Sequence, residues 1–174
     1  GVGKHIMRAA AENLVPITLE LGGKSPVIVG QSANIAEVAG KVAQGKMMNA
    51  GQICLAPDYV LIDEHREQAL VDALVESAST MYPTILDNDD YTSVVNDRHH
   101  ARLTAHVEDA RAKGADITVV NPANEDIASA NGRKMPLHII RGATDDMTVM
   151  QEEIFGPLLP IRRAASTAAA VDYV

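Results

Sequence analysis

One cysteine, no long apolar run and a deficit of basic residues narrow what this 174-residue sequence can be. A lone Cys54 cannot close an internal disulfide, which excludes a disulfide-stapled secreted scaffold. No apolar stretch approaches the ~18 residues that suggest a membrane span. With 15 Lys and Arg against 23 Asp and Glu the formal charge is −8. The chain therefore lacks the basic face on which phosphate backbones are bound, and nucleic acid is excluded as a partner. No signal-peptide pattern opens the chain, and with a single thiol this points to a reducing cytoplasm. There is no initiator Met either: Gly1-Val2-Gly3 begins as if mid-chain, so an excised piece of a longer protein is expected. What is present, 47% hydrophobic and 22% charged residues, suits one soluble globular domain.

The hydrophobic pattern alternates between helix and strand. Lys4 to Leu14 reads as a helix with Ile6, Met7, Ala10 and Leu14 on one side, ended by Pro16. Ile17 to Leu21 is a short β-prone run, and Pro26 to Gly30 a strand apolar enough for burial on both faces. Asn34 is placed to cap a helix carrying Ile35, Val38, Ala39, Val42 and Met47, which stops at Asn49-Ala50-Gly51. Tyr59 to Ile62 reads as a strand, and Glu64 to about Thr80 as a helix with Leu70, Ala73, Leu74 and Ser77 inward. Asn96 to Lys113 is a further helix closed by Gly114, with Leu103, Val107 and Ala110 inward. Ile117 to Val120, Leu137 to Ile140 and Leu158 to Ile161 are three more strands. Such alternation predicts an α/β layer fold with a mainly parallel sheet.

Several motifs fail on inspection. "GVGKH" puts His5 where a phosphate-cradling loop needs Ser or Thr after the lysine. In the run from Asp87, Thr92 stands where a calcium loop needs glycine and Arg98 where it needs a bidentate glutamate, so a solvated loop is expected. His99, His100 and His106 share a helix without cysteine or carboxylate at ligand spacing, and are expected to face solvent.

Three stretches remain that periodicity does not explain: "LELGGKSP" (19–26), "NAGQICLAPDY" (49–59) and "QEEIFGP" (151–157). Cys54 lies in a loop between a helix and a strand, where a thiol has access to solvent; a small apolar filler is the competing reading. Glu20 lies in an apolar run, where enclosure would raise its carboxyl toward the range of a general base; an edge-strand Glu pointing at water competes. A cysteine nucleophile, a water-activating carboxylate and a further carboxylate beside an aromatic could together perform acyl chemistry on a carbonyl carbon.

In order and spacing these three stretches resemble the aldehyde dehydrogenase superfamily, from Gly3 to the last residue. The wording is most similar to its class 3 branch and, within that, to the coniferyl aldehyde dehydrogenases. The resemblance implies a three-layer α/β fold of the catalytic-domain type, truncated. Residues 1–21 would be the tail of a cofactor-binding domain, a helix and a strand, and residues 22–174 a catalytic domain incomplete at its C-terminal end. Cys54 would attack an aromatic or other hydrophobic aldehyde, and Glu20 would activate the water that hydrolyses the thioester. NAD or NADP would be the cofactor. Glu153 would bond the nicotinamide ribose, Phe155 would pack near the nicotinamide, and Leu21, Gly22 and Gly23 would pass close to the cofactor. Gly1 to Gly3 would end the glycine motif at the pyrophosphate. A homodimer or homotetramer is implied for the parent, with no membrane partner, and the piece alone is expected to be inactive. Two rivals remain: an acylating semialdehyde dehydrogenase that passes the thioester to coenzyme A, against which Glu20 counts, and a non-catalytic α/β scaffold.

Overall fold

The computed structural model describes residues 2–174, so Gly1 of the expected glycine motif lies outside the described residues. Short runs of branched apolar residues become strands: β1 (Pro26–Ile28), β2 (Tyr59–Ile62), β3 (Asp116–Val120), β4 (Leu137–Arg141) and β5 (Leu158–Arg163). They form one sheet in the order β1-β2-β5-β4-β3. The first four in that order are mutually parallel, with Val60 beside Ile161 and Ile139 beside Leu159, and β3 joins β4 antiparallel. The helices are α1 (Val2–Asn13), α2 (Ile35–Met47), α3 (Glu64–Met81), α4 (Asp97–Ala112), α5 (Thr148–Gln151) and α6 (Thr167–Tyr173).

Side-chain alternation along the strands makes three layers. Val60 and Ile62 point into a core shared with Val42, Leu70 and Leu74, under α2 and α3. Their neighbours Tyr59 and Leu61 point into a second core with Leu103, Val107, Ile154 and Ala170, under α4 and α6. All four residues of β2 are therefore buried, as a parallel strand covered on both faces requires. Each longer helix starts on a polar cap: Asn34, Asp63 and Asn96 accept from the backbone N–H of Glu37, His65 and His99. Gly114 ends α4 at φ +88°, in the left-handed position glycine takes past a helix end.

Four expectations need correction. Ile17 to Leu21 forms no strand, because a strand needs a ladder partner and none of the described residues pairs beyond β1. For the same reason β1 is an edge strand, half-buried instead of enclosed on both faces. Of the expected inward side of α1 only Ala10 is buried, while Ile6, Met7 and Leu14 are exposed, Leu14 by 93%. The segment from Asp87 is not simply solvated. Its carboxylates face water, but Tyr91 and Val94 are buried, and the Tyr91 hydroxyl donates to the Met135 carbonyl at 2.7 Å.

Candidate active-site cleft

Cys54 is presented by an unusual turn. After α2 the chain passes through Asn49, Ala50 and Gly51 at φ 51°, 54° and 70°, three successive left-handed residues. Two of these are L-residues in a conformation that costs roughly 1 kcal/mol each or more, so the turn needs outside support. Asn49 Nδ2 donates to the Gln52 carbonyl at 3.2 Å, and Gln52 Nε2 donates back to the Asn49 carbonyl at 3.0 Å. Gln52 also ties the turn to the next segment, donating to the Ser93 carbonyl at 3.1 Å and accepting from Val95 N–H at 2.8 Å. Only glycine fits at 51, since a Cβ there would stand 2.4 Å from the Gly156 carbonyl oxygen. Cys54 emerges from this turn as an exposed, free thiol.

The turn faces a cleft of about 830 Å³ that collects residues from all three motif stretches: Glu20, Leu21 and Gly22; Cys54; Glu153 and Phe155. Gly3 is not among them. It is buried in α1 beside Leu19 and Leu21, with 3.3 Å from its would-be Cβ to Leu21 Cδ1. Glu20 is exposed on the cleft wall, so the apolar enclosure expected around it is absent.

Gly22 has a closer partner than any ligand. A Cβ at that position would fall 1.8 Å from Glu153 Oε2, so the missing side chain is the space the Glu153 carboxylate occupies. Glu153 Oε1 meanwhile accepts from Gly23 N–H at 3.0 Å.

Lys24 and Asp58 fasten the three stretches together. Lys24 Nζ donates to Asp58 Oδ2 and to the carbonyls of Val149 and Glu152 at 2.8 and 2.9 Å, while Asp58 Oδ1 accepts from Ile154 N–H at 2.9 Å. Nearby, Lys46 is fully buried. Its ammonium is pushed down to about 8 by burial, with the Asp58 charge opposing.

Sequence reasoning assigned no site role to Arg102, Gln52, Ile53 or Glu152, and set His99 at the surface; all five also line the cleft. Nor do the α4 histidines face solvent as a group: His106 is 4% exposed, and His99 and His100 are half-buried. Arg102 and His106, four apart, lie on the same side of the helix, and that spacing was the available signal. Arg102 Nη1 donates to the Glu153 carbonyl at 3.1 Å and its Nη2 to the Ile154 carbonyl. His99 Nδ1 is buried with no partner, an unsatisfied polar atom of the kind a bound polar ligand would satisfy. Among the described residues no group of three His, Cys, Asp or Glu side chains is placed to hold a metal ion.

A thiol with access and carboxylates on the same cleft suit nucleophilic attack on a carbonyl followed by hydrolysis. Comparison with known proteins bears on that chemistry. The profile of the aldehyde dehydrogenase family matches residues 1–174. A probable coniferyl aldehyde dehydrogenase of Caulobacter vibrioides is 56% identical over 173 residues, which are 99% of this chain and 36% of that protein. A substrate-bound structure of Staphylococcus aureus AldH superposes with a TM-score of 0.86 at 39% identity, covering 99% of this chain and 36% of its own. Betaine aldehyde dehydrogenase from the same organism, solved in complex with NAD+, gives 0.82 at 27% identity over 98% of this chain and 34% of its own. The chain thus spans about a third of the length of the relatives it matches.

Proposed function

The chain belongs to the aldehyde dehydrogenase family, and from that premise we propose that it carries the nucleophile and the water-activating carboxylate of an enzyme oxidising aldehydes to carboxylic acids. One observation supports this above the others: Cys54, Glu20, Glu153 and Phe155, as far as 135 residues apart in the sequence, line a single cleft. The substrate class is aromatic or otherwise hydrophobic aldehydes such as coniferyl aldehyde, by similarity to the Caulobacter relative. Residues 1–21 belong to the end of a cofactor-binding domain and residues 22–174 to the catalytic domain, in a polypeptide about three times as long that works as a homodimer or homotetramer.

The Cys54 thiolate attacks the aldehyde carbon, and its own backbone N–H donates to the oxyanion of the resulting thiohemiacetal. When bound, NAD or NADP supplies the hydride acceptor. Glu153 and Phe155 would face the nicotinamide half of that cofactor, with Leu21 and Gly22 on the same cleft wall. Loss of hydride leaves an acyl group on Cys54 as a thioester, and Glu20, exposed on the cleft, takes a proton from the water that hydrolyses it. Transfer of that acyl group to coenzyme A would not need Glu20, so its place on the cleft wall counts against the acylating alternative. Taken alone the 174 residues provide only the nicotinamide half of the cofactor site and one oxyanion donor, so no turnover is expected of them.

The test is an assay of the full-length enzyme with coniferyl aldehyde and each nucleotide. One carboxylic acid formed per nucleotide reduced is the expected result, and absence of acid with every aromatic aldehyde tried would overturn the reading. Iodoacetamide labelling of Cys54 near neutral pH, faster than that of a free cysteine, separates a nucleophile from a scaffold residue.

A further inference from the structure

His106 lies behind the cleft wall, outside the motif stretches, with both ring nitrogens engaged. Nδ1 is 2.8 Å from Thr148 Oγ1, and Nε2 is 3.1 Å from Arg102 Nη1 and 3.2 Å from Glu152 Oε1. The proton positions follow from the partners. Asp109, held by Lys113 at 2.7 Å, can only accept, and it takes both the N–H and the hydroxyl of Thr148, at 2.8 and 3.2 Å. The Thr148 hydroxyl hydrogen is thereby committed, so Thr148 Oγ1 accepts from His106 Nδ1–H. The neutral ring then presents a lone pair at Nε2, and Arg102, a pure donor, fills it. One hydrogen of Arg102 Nη1 goes to His106 and the other to the Glu153 carbonyl, while Nη2 reaches the Ile154 carbonyl.

We propose that His106 is a positioning residue: its neutral imidazole holds Arg102 on the carbonyls of Glu153 and Ile154, and protonation exchanges Arg102 for Glu152 as its partner, releasing the turn that carries Glu153. A proton on Nε2 would meet the guanidinium head-on and find an acceptor in Glu152, whose Oε1 stands 3.7 Å from Arg102 Nη1 and 3.2 Å from the ring nitrogen, within reach of either partner. The charged groups facing His106 are Arg102 and Asp109 on its own helix, Glu152 from the segment after α5 and Lys24 from the loop before β1. Burial, then the Arg102 charge, pushes the imidazole below its ordinary range, with Glu152 opposing. The folded state therefore favours the neutral ring. The latch is complete above the unfolded-state value near ~6.5 and is lost as pH falls through the lowered folded value.

Two measurements test this. The first needs no enzyme activity: long-range proton–nitrogen NMR of the imidazoles at pH 7 is expected to show His106 neutral and protonated at Nδ1, titrating below the ordinary imidazole range. An Nε2–H tautomer, or titration above the ordinary range, would overturn the proposal whatever the protein catalyses. The second rests on the dehydrogenase reading and compares His106→Gln with His106→Leu in the full-length enzyme. The Gln amide oxygen still accepts from Arg102 but does not titrate; Leu offers no acceptor. Wild-type KM for the nucleotide should rise as pH drops from 7 to 5.5, the Gln variant should stay flat, and Leu should raise KM about fivefold to tenfold at neutral pH with kcat changed less. An acid rise that persists in the Gln variant, or a Leu variant with wild-type KM, would contradict the latch. The NMR measurement on the wild type stands if Leu does not fold.

Discussion

Lys24 and Asp58 form an ion pair at the point where the glutamate, cysteine and Glu152-Glu153 stretches converge. Asp58 is 3% exposed, and both partners use their remaining capacity on backbone groups of residues 149–154. The pair thus fixes the distances between segments that are far apart in sequence. Replacing Asp58 with Asn keeps the shape but leaves the ammonium without its counter-charge. We expect a loss of about 3 kcal/mol, seen as a lower urea midpoint with an unchanged slope. A midpoint within error of the wild type would show that the pair contributes nothing net.

Gly51 and Gly114 both have positive φ, but their surroundings separate two costs. At Gly114 a Cβ meets nothing within 4 Å, so Gly114→Ala should cost only the backbone conformation, about 1–2 kcal/mol. At Gly51 the same Cβ would stand 2.4 Å from the Gly156 carbonyl, backbone against backbone. Gly51→Ala should therefore cost at least about 2 kcal/mol more, through overpacking, and displace the Cys54 turn. Chemical denaturation of the two variants side by side checks this; equal losses would contradict it.

Gly22→Ala should act through Glu153. The added methyl needs the space of the carboxylate, which must swing away and give up the Gly23 N–H. Because a side-chain end can move, the stability loss should be small. In the full-length enzyme the nucleotide KM should rise about tenfold, the loss of one charge-assisted hydrogen bond. Unchanged KM with reduced stability would mean that Gly22 serves packing alone.

The sequence was most legible where one physical requirement decides the residue. Four apolar residues at Tyr59 to Ile62 read directly as a strand, and Asn34 ahead of an apolar period can serve as a cap. It was least legible where the outcome depends on distant partners. Ile17 to Leu21 has strand propensity but no ladder to join. Leu14 follows a helical period but has nothing to pack against. His106 looked like a surface histidine because Thr148 and Glu152 meet it only once α4 docks on the segment around α5. The cleft residues Cys54, Glu20, Glu153 and Phe155 were found from their motifs, whereas Lys24 and Asp58, charges inside the same stretches, were given no role because their pairing depends on the fold.

In the proposed mechanism Cys54 forms the acyl intermediate and Glu20 removes it. Rapid quench of the full-length Glu20→Gln variant with coniferyl aldehyde and nucleotide, followed by peptide mass analysis, tests both at once. The expected result is a burst of reduced nucleotide, a slow steady state, and an acyl adduct matching the substrate's acid on the peptide containing Cys54. Unmodified Cys54 during turnover, or a variant that loses the burst together with turnover, would contradict it.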